Sequence, residues 1–280
     1  VRDGKNHGLI VILDGSSSMS GIIKDCYKQL AILGMFCRKL SIPFEFYSFH
    51  GSRGFAEIHD DNNEYLSKPG LGLFNICNIL SSRMSNREFA LAIGSSFCAN
   101  SKHEKLSSTP LNGTILYAEK LIKDFMQKNK VQIMNTIFIT DGGATDGIYN
   151  SKLNNILDPI TKINYNLEEN ELTNCLFSIL KSRTGTNLYR YFLSDGIFGP
   201  YKKDYIIKDG DKDFFSKNGY VGLESFGSDE YFIASPKILS INKTELRGHN
   251  LENLSVNFQH NQNQKKKNRL FLSHFMKRLG

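Results

Sequence analysis

The chain is most informative first for what it lacks. No stretch of its 280 residues approaches the roughly 18 consecutive apolar residues that a membrane span needs, and the N-terminus shows no charged-then-apolar export signal. The expectation is a soluble protein with no membrane partner. The first residue is Val1 rather than Met, so an upstream targeting segment would be invisible to this reading. Cysteine is scarce: Cys26, Cys37, Cys77, Cys98 and Cys175 are odd in number, widely spaced and mostly set in apolar runs, which suggests neither a disulfide framework nor a C-x-x-C metal site. A reducing cytoplasm is the expected compartment. No histidine pair stands at helical metal spacing, and His50, His59 and His103 read as surface or loop residues. A G-x-x-x-x-G-K-[ST] loop is missing, so any ATPase activity belongs to another chain. There is no G-x-S-x-G, and neither Ser16 nor Ser18 has an identifiable histidine base, so serine hydrolysis is a poor reading.

The net charge of +7 is concentrated at one end, in Lys265, Lys266, Lys267, Arg269, Lys277 and Arg278. The sequence has no aromatic-interleaved basic sheet, zinc-finger spacing or Gly-rich basic repeat. A solvated helix face or a contact for an acidic partner is therefore favoured over nucleic-acid binding.

Among what is present, 40% hydrophobic and 22% charged residues place the chain with ordinary globular proteins. Leu9 to Leu13 is a continuous apolar run, as in a strand buried on both faces of a parallel sheet. Met19 to Leu40 has the periodicity of a helix of about six turns, and Phe44 to Phe49 reads as a second strand after Pro43. Strand, helix and strand form a right-handed βαβ unit. Further expectations are a helix after Pro110, a strand at 136–140, a helix in the second half of 154–183 and a strand at 187–193. Residues 194–229 read as a loop with a helix near 211–217, followed by a last strand or hairpin at 231–234 and 238–241. The fold class predicted is α/β, a Rossmann-like doubly wound, mostly parallel sheet with helices on both faces. Residues 1–241 form the main domain, with 51–106 as a helical insertion containing short helices at 71–83 and 87–97. Residues 242–280 form a polar connector and a basic C-terminal helix, with Leu270, Phe271, Phe275, Met276 and Leu279 on or near one side.

The chemistry gathers where apolar strands end in acid. VILDGSSSMSG (11–21) runs from a strand into a hydroxyl-rich turn in which Asp14, Ser16 and Ser18 alternate, so one carboxylate and two hydroxyls can converge on a hard cation. The strand TIFIT also ends in acid, at Asp141, and the loop before the intervening helix carries Thr109. In an open parallel sheet, loops at the carboxyl ends of the strands share one edge. The plainer alternative is that Asp14, Ser16 and Ser18 cap the following helix. Asp146 is the weaker acid and reads as an exposed turn residue.

These residues carry a resemblance. DGSSS resembles the D-x-S-x-S motif of von Willebrand factor A domains, the metal-ion-dependent adhesion site; TPL (109–111) resembles that family's Thr loop and TDG (140–142) its final Asp loop. The resemblance covers roughly Gly8 to Leu193 and implies a metal set of Asp14, Ser16, Ser18, Thr109 and Asp141, holding Mg²⁺ with Mn²⁺ or Ca²⁺ as substitutes. Ser17 departs from it, standing where many members have Gly. A narrower similarity, in FCRKLSIPFEFYSF, the insertion before STPLNGTIL and the terminal FLSHFMKR, is to the von Willebrand A proteins of tailed phages called CobT-like after a cobalt chelatase subunit. It implies a MoxR-type AAA+ ATPase hexamer as partner, in a bacterium or in the host cytoplasm of a phage.

The function expected from this is a non-catalytic, Mg²⁺-dependent protein-interaction module that captures an Asp or Glu of its partner. The alternative is a chelatase subunit supporting metal insertion into a tetrapyrrole. Against it stand the lack of an obvious tetrapyrrole pocket and of a long acidic stretch.

Overall fold

Every residue of the first strand, β1 (His7–Asp14), is buried, which a strand achieves only with other elements covering both faces of its sheet. The computed structural model describes residues 6–51, 74–97, 108–144, 155–167, 172–197, 205–240 and 270–279. From β1 the chain passes through a 3-10 turn (Ser17–Gly21) into α1 (Ile23–Lys39), then β2 (Phe44–Gly51), β3 (Phe74–Ser81), α2 (Asn86–Phe97), α3 (Leu111–Asn129) and β4 (Ile133–Thr140). A small hairpin, β5 (Asn155–Leu157) and β6 (Asn164–Asn166), precedes α4 (Leu172–Thr184), β7 (Asn187–Leu193), β8 (Tyr205–Ile206) and α5 (Asp211–Asn218). The chain continues through β9 (Tyr220–Ser225), β10 (Glu230–Ala234), a second 3-10 turn (Pro236–Ile238) and α6 (Leu270–Arg278).

Eight strands form one sheet in the order β3-β2-β1-β4-β7-β10-β9-β8. Neighbours from β2 through β10 run parallel, and antiparallel strands close both edges. This is the mostly parallel α/β sheet expected. Its two cores follow from strand alternation. Leu9, Val11 and Leu13 pack with α1 and α6 on one face, while Ile10 and Ile12 pack with α3 and α4 on the other. All five are fully buried, each worth about 1.5–3 kcal/mol of apolar transfer.

The structure departs from expectation in three places. Residues 74–81, expected within a short helix, form the strand β3 on the edge beside β2. Its apolar residues fit either period because a bulge opposite Phe46 and Tyr47 interrupts the ladder and resets the alternation. Residues 205–206 and 220–225, expected in one loop stretch, form β8 and β9, and in β9 buried Val221 and Leu223 alternate with exposed Gly222 and Glu224. Ile238, expected in a strand, lies in a 3-10 turn that Pro236 begins, and Ile241 lies outside the described residues.

The C-terminal helix α6 buries Leu270, Phe271, Leu272, His274 and Phe275, whereas Met276 is 45% exposed. Of the basic cluster, Lys277 and Arg278 lie on this helix, where Arg278 pairs with Glu230 and stacks over the Tyr189 ring. Lys265 to Arg269 lie outside the described residues, as do residues 52–73 before β3. Among the described residues no helix is long and apolar enough to cross a membrane.

Because Phe271 is fully buried and Met276 is half out in solvent, Phe271→Ala is expected to cost about 3–5 kcal/mol. Met276→Ala should stay within about 0.5 kcal/mol. Urea unfolding of the two variants measures the difference.

Candidate metal centre

The direction of chain winding reverses between β1 and β4: β2 and β3 extend the sheet to one side of β1, and the chain then crosses to its other side for β4 and β7. A crevice forms at the carboxyl ends of the strands where connections diverge in this way. Asp14 is the last residue of β1 and Asp141 follows the last residue of β4, so one acid stands on each side of that crevice.

Asp14 is fully buried. Its Oδ1 accepts the backbone N–H of Ser16 at 2.8 Å, and its Oδ2 accepts the Thr140 hydroxyl at 2.7 Å. Ser18 donates its hydroxyl to Asp141 Oδ1 at 2.7 Å, and the Ser16 and Ser18 oxygens lie 3.0 Å apart. A continuous chain of polar groups therefore runs from one acid to the other.

Local geometry explains how the loop makes this chain. Gly15 donates its N–H to the Phe49 carbonyl at 2.7 Å, and a Cβ at this position would lie 2.7 Å from Ser48 Oγ and 3.1 Å from the Phe49 carbonyl. A side chain here would crowd β2. Ser16 is extended, and the next residues close into the 3-10 turn with no side-chain capping bond. The start of α1 has none either. The hydroxyls of Ser16 and Ser18 thus point across the crevice rather than onto helix N–H groups, against the capping alternative.

Thr109 is buried in the segment before α3. That segment is tied to the carboxyl end of β2 by the Gly51 N–H donating to the Ser108 carbonyl at 2.9 Å. Because Asp14 stands in register with Phe49 of β2, this anchor brings Thr109 to the same sheet edge. Asp146, His59 and His103 lie outside the described residues. His50 is half-buried at the end of β2. Two residues at this edge escaped sequence reasoning: Thr140, which holds the second oxygen of Asp14, and Asp195. The latter lies in a third strand-end Asp-Gly, after β7, and the repeated x-Asp-Gly at residues 14–15, 141–142 and 195–196 was the signal available.

Burial pushes the Asp14 carboxyl up to about 6, against opposing hydrogen bonds from Thr140 and Ser16, and the neighbouring Asp141 charge adds to the rise. Burial also raises Asp141, opposed by the Ser18 hydroxyl. Neither acid forms an ion pair with a basic side chain among the described residues. Nor do three or more of His, Cys, Asp and Glu gather as a ligand cluster among those residues. The donor set is all oxygen, two carboxylates and hydroxyls, which suits a hard cation and not a thiolate- or imidazole-seeking metal.

No family model matches the chain, and no curated protein does. Among solved structures it is similar to the pilus adhesin SpaC of Lactobacillus rhamnosus GG, at 10% identity over 72% of this chain and 26% of that one, with a TM-score of 0.43. It is also similar to the vWF domain of the type V pili tip protein Mfa5 from Porphyromonas gingivalis, at 9% identity over 92% of this chain and 98% of that one, with a TM-score of 0.43. A third is the human COPII-coat protein Sec24c, at 12% identity over 68% of this chain and 26% of that one, with a TM-score of 0.36. The chain spans about a quarter of SpaC and of Sec24c. These likenesses are loose, and the fold assignment stands on the strand order above.

The Asp14 shift has a sign that can be measured. Its folded pKa, near 6, exceeds the ordinary value of 3.8, so between those values the folded chain keeps a proton that the unfolded chain has released. Stability attributable to this group falls as pH rises through that window. In EDTA, Asp14→Asn is expected to gain thermal stability relative to the parent chain as pH is raised from about 4 to 7. A difference in Tm that stays constant across this range would contradict the assignment.

Proposed function

We propose that the chain is a protein-interaction module of the von Willebrand A type that holds a divalent cation and uses it to capture a partner's carboxylate. The observation that carries this reading is the polar chain from Asp14 through Ser16 and Ser18 to Asp141, set in a crevice where two acids have no basic partner among the described residues. Mg²⁺ takes about six oxygens and keeps some as water. In this reading Asp14, Ser16, Ser18, Thr109 and Asp141 supply the protein oxygens, some through water, and one position is left for an outside ligand. Mn²⁺ or Ca²⁺ would serve in place of Mg²⁺.

Two carboxylates balance the charge of one divalent ion. Hydroxyls in the remaining positions add no further negative charge, so the ion stays electrophilic enough to attract an Asp or Glu from another chain. The chain itself is non-catalytic in this reading. Its partner class is a MoxR-type AAA+ ATPase hexamer or that ATPase's client, which rests on the narrower resemblance in sequence. The chelatase alternative has no structural observation in its favour.

Calorimetric titration with Mg²⁺ and Mn²⁺ tests the ion, and copurification from the native source with and without EDTA tests the capture. Asp14→Asn and Asp141→Asn are each expected to weaken metal binding by about tenfold or more, and EDTA to release the partner. Unchanged metal affinity in both variants, or a partner retained in EDTA, would overturn the reading.

A further inference from the structure

On the face of the sheet that carries α6, a cleft of about 490 Å³ opens between α5, α6 and the β9–β10 pair. Clefts of this size suit small organic molecules. Its floor is Gly222, which pairs with Phe232 across the ladder. A Cβ at Gly222 would come within 3.1 Å of the Phe232 ring, so that ring packs close to the bare backbone of Gly222, which stays exposed. Aromatic rings border the floor: Tyr220 and Phe232 from the sheet, and Phe214 from α5, set edge-on to Tyr220 with ring centroids 5.9 Å apart.

The inner end of the cleft is His274. It is only 7% exposed and stacks on Phe232, with ring centroids 4.3 Å apart. Its Nδ1 lies 2.8 Å from the hydroxyl of buried Tyr191. That hydroxyl has no other hydrogen-bond partner among the described residues, so it donates to Nδ1 and leaves the ring proton on Nε2. Nε2–H then has no acceptor among the described residues, although His274 lines the cleft.

The charged groups around the cleft are mostly engaged. Arg278 pairs with Glu230, and the Asp211 carboxylate accepts the Lys208 N–H at 2.7 Å. Lys277 forms no ion pair among the described residues.

We propose that this cleft binds a small planar aromatic carboxylate, its ring lying over Gly222 among Phe214, Tyr220 and Phe232, and its carboxylate taken by His274 Nε2–H and the Lys277 ammonium. Flat rings match the aromatic border by offset or edge contacts. The carboxylate supplies an acceptor to an imidazole N–H on a residue that lines the cleft. Burial and the nearby Lys277 hold the His274 pKa down to about 4, so the imidazole is a neutral donor near neutral pH and Lys277 meets the ligand's charge. The site is separate from the carboxyl-edge crevice and independent of any metal there.

The test is a titration of the full chain with 2-naphthoate by ligand-observed NMR, in EDTA, with 2-naphthamide as the uncharged analogue. Three variants accompany it: His274→Phe, which keeps the ring stack but removes the N–H; Lys277→Ala; and Gly222→Leu, which fills the floor. Naphthoate is expected to bind the parent chain in the sub-millimolar to millimolar range and about tenfold more weakly to His274→Phe. Lys277→Ala should weaken it severalfold, and Gly222→Leu should abolish it while circular dichroism stays unchanged. Naphthamide binding as tightly as naphthoate would overturn the carboxylate class. Absence of naphthoate binding to the parent chain, or equal binding to His274→Phe, would overturn the site, with the latter variant deciding the matter if Gly222→Leu does not fold.

Discussion

Burying a carboxylate at the end of a central strand is the constraint on which the carboxyl edge of this sheet depends. Asp14 is out of water and without a basic partner among the described residues, and an ionised carboxylate in that position is costly unless hydrogen bonds or a cation offset it. The neighbouring elements meet part of that demand. Thr140 of β4 takes one oxygen and the Ser16 N–H the other, while Ser16 and Ser18 extend the polar chain to Asp141. Strand order, turn shape and the glycine between β1 and β2 all serve this one placement.

The same arrangement explains why the site sits between β1 and β4. Winding to both sides of β1 leaves a gap at the strand ends. Strands ending in x-Asp-Gly put an acid at the strand end and a turn beyond it. The gap supplies space and the strand ends supply charge. Neither would make a site without the serine turn that bridges them.

How much of this was legible in the sequence depended on whether a residue's environment was local. Long, doubly buried segments such as Leu9 to Leu13 and 111–129 show their periodicity directly, because both neighbours in the fold demand apolar residues. Asp14, Ser16, Ser18 and Asp141 were legible as a set because their spacing is fixed by one turn and one strand end. Thr140 was not, since a threonine closing an apolar strand is ordinary and only the register of β4 against β1 aims it at Asp14. The strands β3 and β9 were missed for a related reason. β3, on the sheet edge, contacts one neighbour through backbone bonds, and its bulge breaks what pattern there is; in β9, between β10 and β8, the alternation rests on only two buried apolar residues, Val221 and Leu223, split by a glycine. The C-terminal helix was legible in its period but not in its partner, because the facing surface comes from α1, β7 and β10, which lie far from it along the chain.

That bulge has a bearing on how molecules of this kind avoid one another. A sheet with open edges is a template for adding further strands, and proteins that stay apart blunt those edges. One edge here ends in β8, which offers only two paired residues. The other ends in β3, eight residues long, with its ladder to β2 interrupted partway. A bulge twists and bends its strand, so an incoming chain would find no straight run of eight residues to zip against. The feature that obscured β3 in the sequence thus also blunts the edge on which β3 lies.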